Sequence, residues 1–348
     1  MSTYLPTSAD DQGAITPIES QGRYAVATFE LFQASTDALD DLASHAKSER
    51  TTQGYRSDWR QFRSWAGTKG IEVPGVTDDR VDLGTEPIPP AMLMLYLADA
   101  QGDLKPSTVT HHLAAIRHFH HLADLVSPTD HPKVRETLAG FSRKHAAEPH
   151  RAEPLFLGEL KAGLPHGEDL RAIRDRALLL TGWWGAFRRS ELVAIQVGDL
   201  SKHDQGIIVR IPKSKTDQTG AGQKVALHYR EDLTVDPVKA LRAWLKAAVI
   251  SSGPVFRLAR GVTVGADGLN SAVVSRVTKE TAERAGLNPS GYSAHSLRSG
   301  FVSECDRRHI PNGAVRAVTR HTSDAMLAVY DRPGELFSGS AGAYFEGV

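Results

Sequence analysis

The chain holds one cysteine, Cys305, among 348 residues, which excludes an intramolecular disulfide framework and any thiolate-rich metal cluster. No run approaches 18 uninterrupted apolar residues, so no membrane-spanning helix is expected. Met1 to Ala9 has neither the basic stretch nor the apolar core of a secretory leader. Net charge is absent too, 41 Lys and Arg standing against 41 Asp and Glu. These absences point to a protein of the reducing cytoplasm. At roughly 100–200 residues per domain, the length calls for two domains.

Overall neutrality hides an uneven distribution. Residues 1–50 carry 3 basic and 8 acidic side chains, whereas residues 201–300 carry 15 basic and 8 acidic. Eight of the 15 histidines fall between His111 and His150, where an anionic neighbour would promote their protonation. Nucleic acid therefore stays open as a partner despite the balanced total.

Residues 1–27 lack apolar periodicity and are expected to form a disordered tail. From Thr28 the pattern turns helical, with Phe29, Leu31, Leu39 and Leu42, then Tyr55, Trp59, Phe62 and Trp65 on one face. Pro89-Pro90, Pro106-Ser107 and Pro132 mark further helix starts. An all-helical domain is expected over residues 28–146, with an extended linker over 147–154. A second domain, 155–348, reads as α+β. It has a buried helix stripe (Leu170, Ile173, Ala177, Leu180), a helix over Arg188 to Ile195, and strands Ile207 to Ile211 and Lys224 to His228 as a β-hairpin around Thr219–Gly222. Helices are expected over Val238 to Ile250, Leu269 to Ala285, His295 to Arg308, Ala314 to Val318 and Ala325 to Tyr330. The fold class is mostly α with a small sheet.

The second domain carries a phosphate-handling set: Arg188 and Glu191, Lys215, His295, Arg298, His321 and Tyr330. Two guanidinium groups can grip the nonbridging oxygens of a phosphodiester and stabilise the extra charge of a pentacovalent transition state. A tyrosine can attack phosphorus, and a lysine or histidine can protonate the departing oxygen. Each residue also has an ordinary role open to it. Arg188 can pair with Glu191 on a solvated helix face, His295 and His321 can be hydrogen-bonded structural histidines, Tyr330 can be core beside Leu327 and Val329, and Lys215 can be a solvated hairpin charge. The loop Gly220–Gly222 lacks the Gly-Lys-Ser/Thr ending of a phosphate-binding loop, so no nucleotide is expected there.

In order and spacing these residues resemble the tyrosine recombinase (phage integrase) family over about residues 45–335. The family's first box, Gly-aliphatic-Arg-aliphatic-Ser-Glu-Leu, is matched by Ala186-Phe187-Arg188-Arg189-Ser190-Glu191-Leu192. Ala186 stands where the family usually has Gly, and Arg189 where an aliphatic is usual. The His-x-x-Arg box falls on His295 and Arg298, the later histidine on His321, and the nucleophile, nine residues on, at Tyr330. Before His321 the family often has Gly; here it is Arg320. The hairpin lysine falls on Lys215, with Lys213 two residues away as the other candidate.

The resemblance implies a site-specific recombinase that cleaves DNA through a 3′-phosphotyrosyl intermediate at inverted-repeat sites, without cofactor or metal. Its partners would be duplex DNA with a specific target site and, in the synapse, three further copies of the chain; free in solution it would be a monomer. The tail with Leu336, Phe337, Tyr344 and Phe345 would dock on a neighbouring copy. The helix bearing Lys105, Thr108, Thr110, His111, Arg117 and His121 is similar to those the family lays against DNA, and Lys213 would add a phosphate contact. His111, His112, His118, His120 and His121 lack a Cys or carboxylate pair to complete a metal site, so a solvated or DNA-facing surface is expected for them. A type IB topoisomerase and a catalytically silent DNA-binding regulator remain as alternatives.

Overall fold

The structure, a computed structural model, describes residues 8–9, 15–16, 49–77, 80–146, 151–211, 222–321 and 323. Several sequence expectations lie outside the described residues: the tail over 1–27 apart from two short strands, the first part of the helical pattern with Phe29, Leu31, Leu39 and Leu42, the linker residues 147–150, Lys213 and Lys215, the loop residues 219–221, the helix over Ala325 to Tyr330, and the tail beyond it. The chain divides into two compact units, Met1–Pro149 and His150–Val348.

In the first unit, helices α1 (Glu49–Thr68), α2 (Pro90–Asp99), α3 (Pro106–Leu122) and α4 (Pro132–Lys144) surround one apolar core. Three of the four begin on proline, whose fixed φ suits a first helical turn and whose missing N–H would be unpaired there anyway. The aromatic face of α1 enters the core as expected: Trp59 and Phe62 are fully buried, and Trp59 meets Phe119 of α3 edge-on at 5.2 Å. The indole N–H of Trp59 donates to the Pro74 carbonyl at 2.9 Å, so its one polar atom is satisfied. The unit is not wholly helical, because two-residue antiparallel ladders pair β1 (Ser8–Ala9) with β2 (Ile15–Thr16) and β3 (Val76–Thr77) with β4 (Arg80–Val81).

The second unit is built on α6 (Leu170–Trp184), which follows α5 (Leu157–Gly163). Ala177 and Leu180 of its stripe are buried while Leu170 and Ile173 are partly so. The short helix α7 (Arg189–Ala194) comes next. The expected hairpin is present as β6 (Gly206–Ile211) and β7 (Gln223–His228), but β5 (Leu200–His203) adds a third strand in the order β5-β6-β7. Ile207, Val209 and Ile211 of β6 and Val225 and Leu227 of β7 turn one face into the core, the alternation that a half-buried strand requires. Helix α8 (Pro237–Ala247) packs on α6, and a second hairpin, β8 (Arg257–Arg260) with β9 (Thr263–Gly268), precedes α9 (Ser271–Arg284).

Helices α10 (His295–Arg307) and α11 (Asn312–Thr319) complete the described part. Gly300 lets α10 approach the segment before α5: a Cβ there would lie 1.9 Å from the Leu155 carbonyl oxygen, and the Leu155 N–H donates to Ser296 O at 3.0 Å. Cys305, on α10, is buried, and burial first, then Glu304, pushes its thiol up to about 11. Among the described residues, no helix is long and apolar enough to cross a membrane.

Candidate active site

Arg188 is the residue that caps α7 rather than the first residue within it. Its backbone N–H donates to Glu191 Oε2 at 2.8 Å and its Nη1 to Glu191 Oε1 at 2.7 Å. The first of these bonds is half of a capping box, for which a glutamate three residues into the helix is the natural partner. The Arg188–Glu191 pairing thus exists, but not on a solvated face: the Glu191 side chain is 6% exposed and that of Arg188 30%. Burial pushes the Glu191 carboxyl upward, yet the charge of Arg320 and then the hydrogen bonds and charge of Arg188 outweigh it and hold the group below its ordinary value.

Arg298 projects from the first turn of α10 and is 2% exposed. Its Nη1 donates to Ala186 O at 2.6 Å and its Nη2 to Thr319 O. One guanidinium thereby joins the turn before α7 to the end of α11, and five donors in a fixed plane suit it to that bridging. His295, the first residue of the same turn, is exposed. Crowding by protein, then the charges of Arg298 and Arg188, lower its pKa.

His321 follows α11 and is 7% exposed. Burial, and then Arg298, Arg188, Arg320 and His295 in that order, bring its imidazole down to about 4. The Arg316 side chain donates to its carbonyl at 3.3 Å. A cavity of about 560 Å³ opens beside it, with Lys224, Arg316, Arg320 and His321 in its lining.

Five expected site residues from three chain segments are therefore linked: Glu191 interacts with Arg188, His295 with Arg298 and Arg188, and His321 with Arg298, Arg188 and His295. Tyr330, Lys215 and Lys213 lie outside the described residues. One residue that the sequence marked only as a departure from the family pattern belongs to the cluster: Arg320 donates through Nη2 to Glu191 Oε2 at 2.7 Å. Ala186 and Arg320, standing where the family usually or often has glycine, both take left-handed backbone conformations, with φ of 44° and 61°. Both are conformations that glycine adopts more readily than a residue with a side chain.

In the first unit, the candidate DNA-facing side chains of α3 separate into two groups. Lys105, Thr110, His111, Arg117 and His121 are exposed and Thr108 is half-buried; Arg117 pairs with Asp130 at 2.9 Å, and the Thr110 hydroxyl donates to Pro106 O at 2.9 Å. His112 and His120 are core residues instead, which corrects the expectation of a wholly solvated histidine cluster. His112 shares a hydrogen bond with the Tyr96 hydroxyl through Nδ1 and lies 3.9 Å from Asp58. His120 accepts from the Ile88 N–H at 3.1 Å and bonds Ile116 O at 2.7 Å. Burial lowers the pKa of both. Among the described residues no group of three His, Cys, Asp or Glu is placed to hold a metal ion.

Residues 163–335 match the phage integrase family. An integrase/recombinase XerD homologue of Selenomonas ruminantium is 32% identical over 302 residues, covering 85% of this chain and 85% of the relative. Among solved structures, a lambda integrase dimer bound to a COC′ core site has a TM-score of 0.55 at 19% identity, over 87% of this chain and 96% of its own. A lambda integrase tetramer bound to a Holliday junction has 0.53 at 15% identity, over 94% and 92%. At such identities the two structures speak to the fold, which they share with this chain.

Proposed function

The chain belongs to the phage integrase family, and from that premise we propose that it is a site-specific DNA recombinase whose nucleophile is Tyr330. The tyrosine oxygen attacks the scissile phosphorus, the bond to the 5′ oxygen breaks, and Lys215 gives that oxygen its proton. The product is a 3′-phosphotyrosyl link and a free 5′-hydroxyl; the hydroxyl of a partner duplex reverses the step and reseals the strand. The phosphoester is conserved throughout, so the cycle is balanced without ATP.

The observation that carries this reading is the convergence of Arg188, Arg298, His295 and His321. Arg188 and Arg298 supply the fixed positive charge that a phosphorane needs, already oriented by Glu191 and by the carbonyls of Ala186 and Thr319. His321, held neutral near pH 7, is suited to share a proton with a nonbridging oxygen or with the attacking phenol. Lys105, Thr108, Thr110, His111, Arg117, His121 and Lys213 hold flanking phosphates in this reading. Four copies assemble around two duplexes in the cytoplasm, as the tetrameric lambda integrase on a Holliday junction illustrates for a protein of the same fold.

The test is a nicked suicide duplex carrying a site selected from randomised DNA. Wild-type protein is expected to accumulate a covalent species, with EDTA present or absent, and Tyr330→Phe to bind the duplex and form none. A covalent species in the variant would move the nucleophile to another tyrosine. Loss of cleavage in EDTA with rescue by magnesium would overturn the mechanism, and relaxation of supercoils without recombinant products would favour the topoisomerase alternative.

A further inference from the structure

Arg320 occupies an improbable position for a charged residue. It caps α11 in the left-handed conformation, φ 61° and ψ 34°, where a side chain is disfavoured, and it is 7% exposed. Something must offset both costs, since a buried guanidinium is tolerated only when paired. Its Nη2 donates to Glu191 Oε2 at 2.7 Å and its Nη1 to Val318 O at 2.6 Å, with longer contacts to Gly185 O and Ala186 O at 3.3 and 3.4 Å. Its Cζ lies 5.2 Å from the centre of the Phe187 ring.

The pairing bears on the charge that the site presents. Without Arg320, Glu191 and Arg188 would form an isolated pair of zero net charge, and the carboxylate would screen the guanidinium from any phosphate beside it. With Arg320 the triad carries one net positive charge. Arg320 is the buried member, its side chain 3% exposed, whereas Arg188 is 30% exposed, so the uncompensated charge resides on the guanidinium that solvent or substrate can reach. The same contact ties the first box to the residue immediately before His321, so two phosphate-facing groups share one anchor.

We propose that Arg320 is a positioning residue for strand cleavage: by neutralising Glu191 it leaves the charge of Arg188 to the scissile phosphate. The inference rests on the recombinase reading given above.

A double-mutant cycle with the suicide duplex tests it. Arg320→Gly should fold, because glycine relieves the left-handed backbone, and should bind DNA within about twofold of wild type, yet form the covalent species roughly tenfold to a hundredfold more slowly. Arg320→Gln, which can donate a hydrogen bond but has no charge, should lose a similar amount. If Arg320 acts by neutralising Glu191, its removal should matter much less when Glu191 is already uncharged. The rate ratio between Glu191→Gln and Glu191→Gln/Arg320→Gly should therefore approach one. Equal and additive losses in both backgrounds, or full activity of Arg320→Gln, would overturn the proposal while leaving the recombinase reading intact. Failure of wild-type protein to form any covalent species would instead overturn the recombinase reading, and this inference with it.

Discussion

Arg298 Nη1 donates to the carbonyl of Ala186 at 2.6 Å across 112 residues of sequence, while Nη2 of the same group reaches Thr319 O. A lysine ammonium is a single point donor on a flexible stem and cannot hold both carbonyls in the plane that a guanidinium imposes. Arg298→Lys is therefore expected to keep most DNA affinity but to slow single-turnover cleavage by about 10²–10³-fold. A loss below threefold would mean that the two-carbonyl bridge does not matter to the reaction.

Gly300 is the contact through which α10 reaches the chain at Leu155. A methyl group at Gly300 meets the Leu155 carbonyl at 1.9 Å, against backbone that cannot swing aside. Gly300→Ala should destabilise the protein by about 1–3 kcal/mol, read as a lowered urea midpoint. Because α10 also carries His295 and Arg298, cleavage should fall with it.

The sign of the pH dependence follows from His321. Its imidazole is brought from 6.5 down to about 4 by burial and by Arg298, Arg188, Arg320 and His295. Between those values the unfolded chain binds a proton that the folded chain does not, so stability is complete above about 6.5 and is lost as pH falls toward 4. Urea titrations of the free protein should show roughly 2 kcal/mol less stability at pH 5 than at pH 8 from this group. His321→Gln should lose that increment. An unchanged difference in the variant would assign the acid sensitivity elsewhere.

The histidines of α3 should respond in two ways. Replacing the exposed His111 and His121 with Gln should leave the fold and its thermal stability intact. Replacing His112 instead should lower stability by about 1–3 kcal/mol, since Tyr96 loses a buried hydrogen-bond partner. Equal behaviour of the two variants in thermal melts would contradict the division between surface and core.

Lys215 and Lys213 can be told apart by the leaving group. A 5′-bridging phosphorothiolate departs without needing a proton, so it should rescue Lys215→Ala and leave Lys213→Ala unaided. Rescue of Lys213→Ala alone would exchange the two roles.

The parts of the site that were legible in the sequence are those whose spacing is local. Arg188 and Glu191 stand three apart because a capping box requires it, and His295 and Arg298 share one turn of α10. Strands β6 and β7 announced themselves through alternation, whereas β5 reads Leu-Ser-Lys-His and β9 is mostly exposed, so neither carries an apolar period. The buried histidines did have a signal: His112 and His120 fall on the Val109, Leu113, Ile116 and Phe119 stripe, but a titratable side chain there is read more readily as surface than as core. Arg320 had no local signal, because its meaning depends on Glu191, 129 residues earlier. Only folding brings the two together.

The lone Cys305, buried and with a thiol pushed up to about 11, has a practical consequence. Thiolate is the species that reacts with maleimides and disulfides, so the native chain is close to inert toward them at neutral pH. A cysteine introduced at an exposed position such as His121 or Lys105 can then carry a fluorophore or a DNA-tethered disulfide as the sole labelled site. Whether α3 lies against the duplex becomes directly measurable, with no need to disturb Cys305 and the helix it shares with His295 and Arg298.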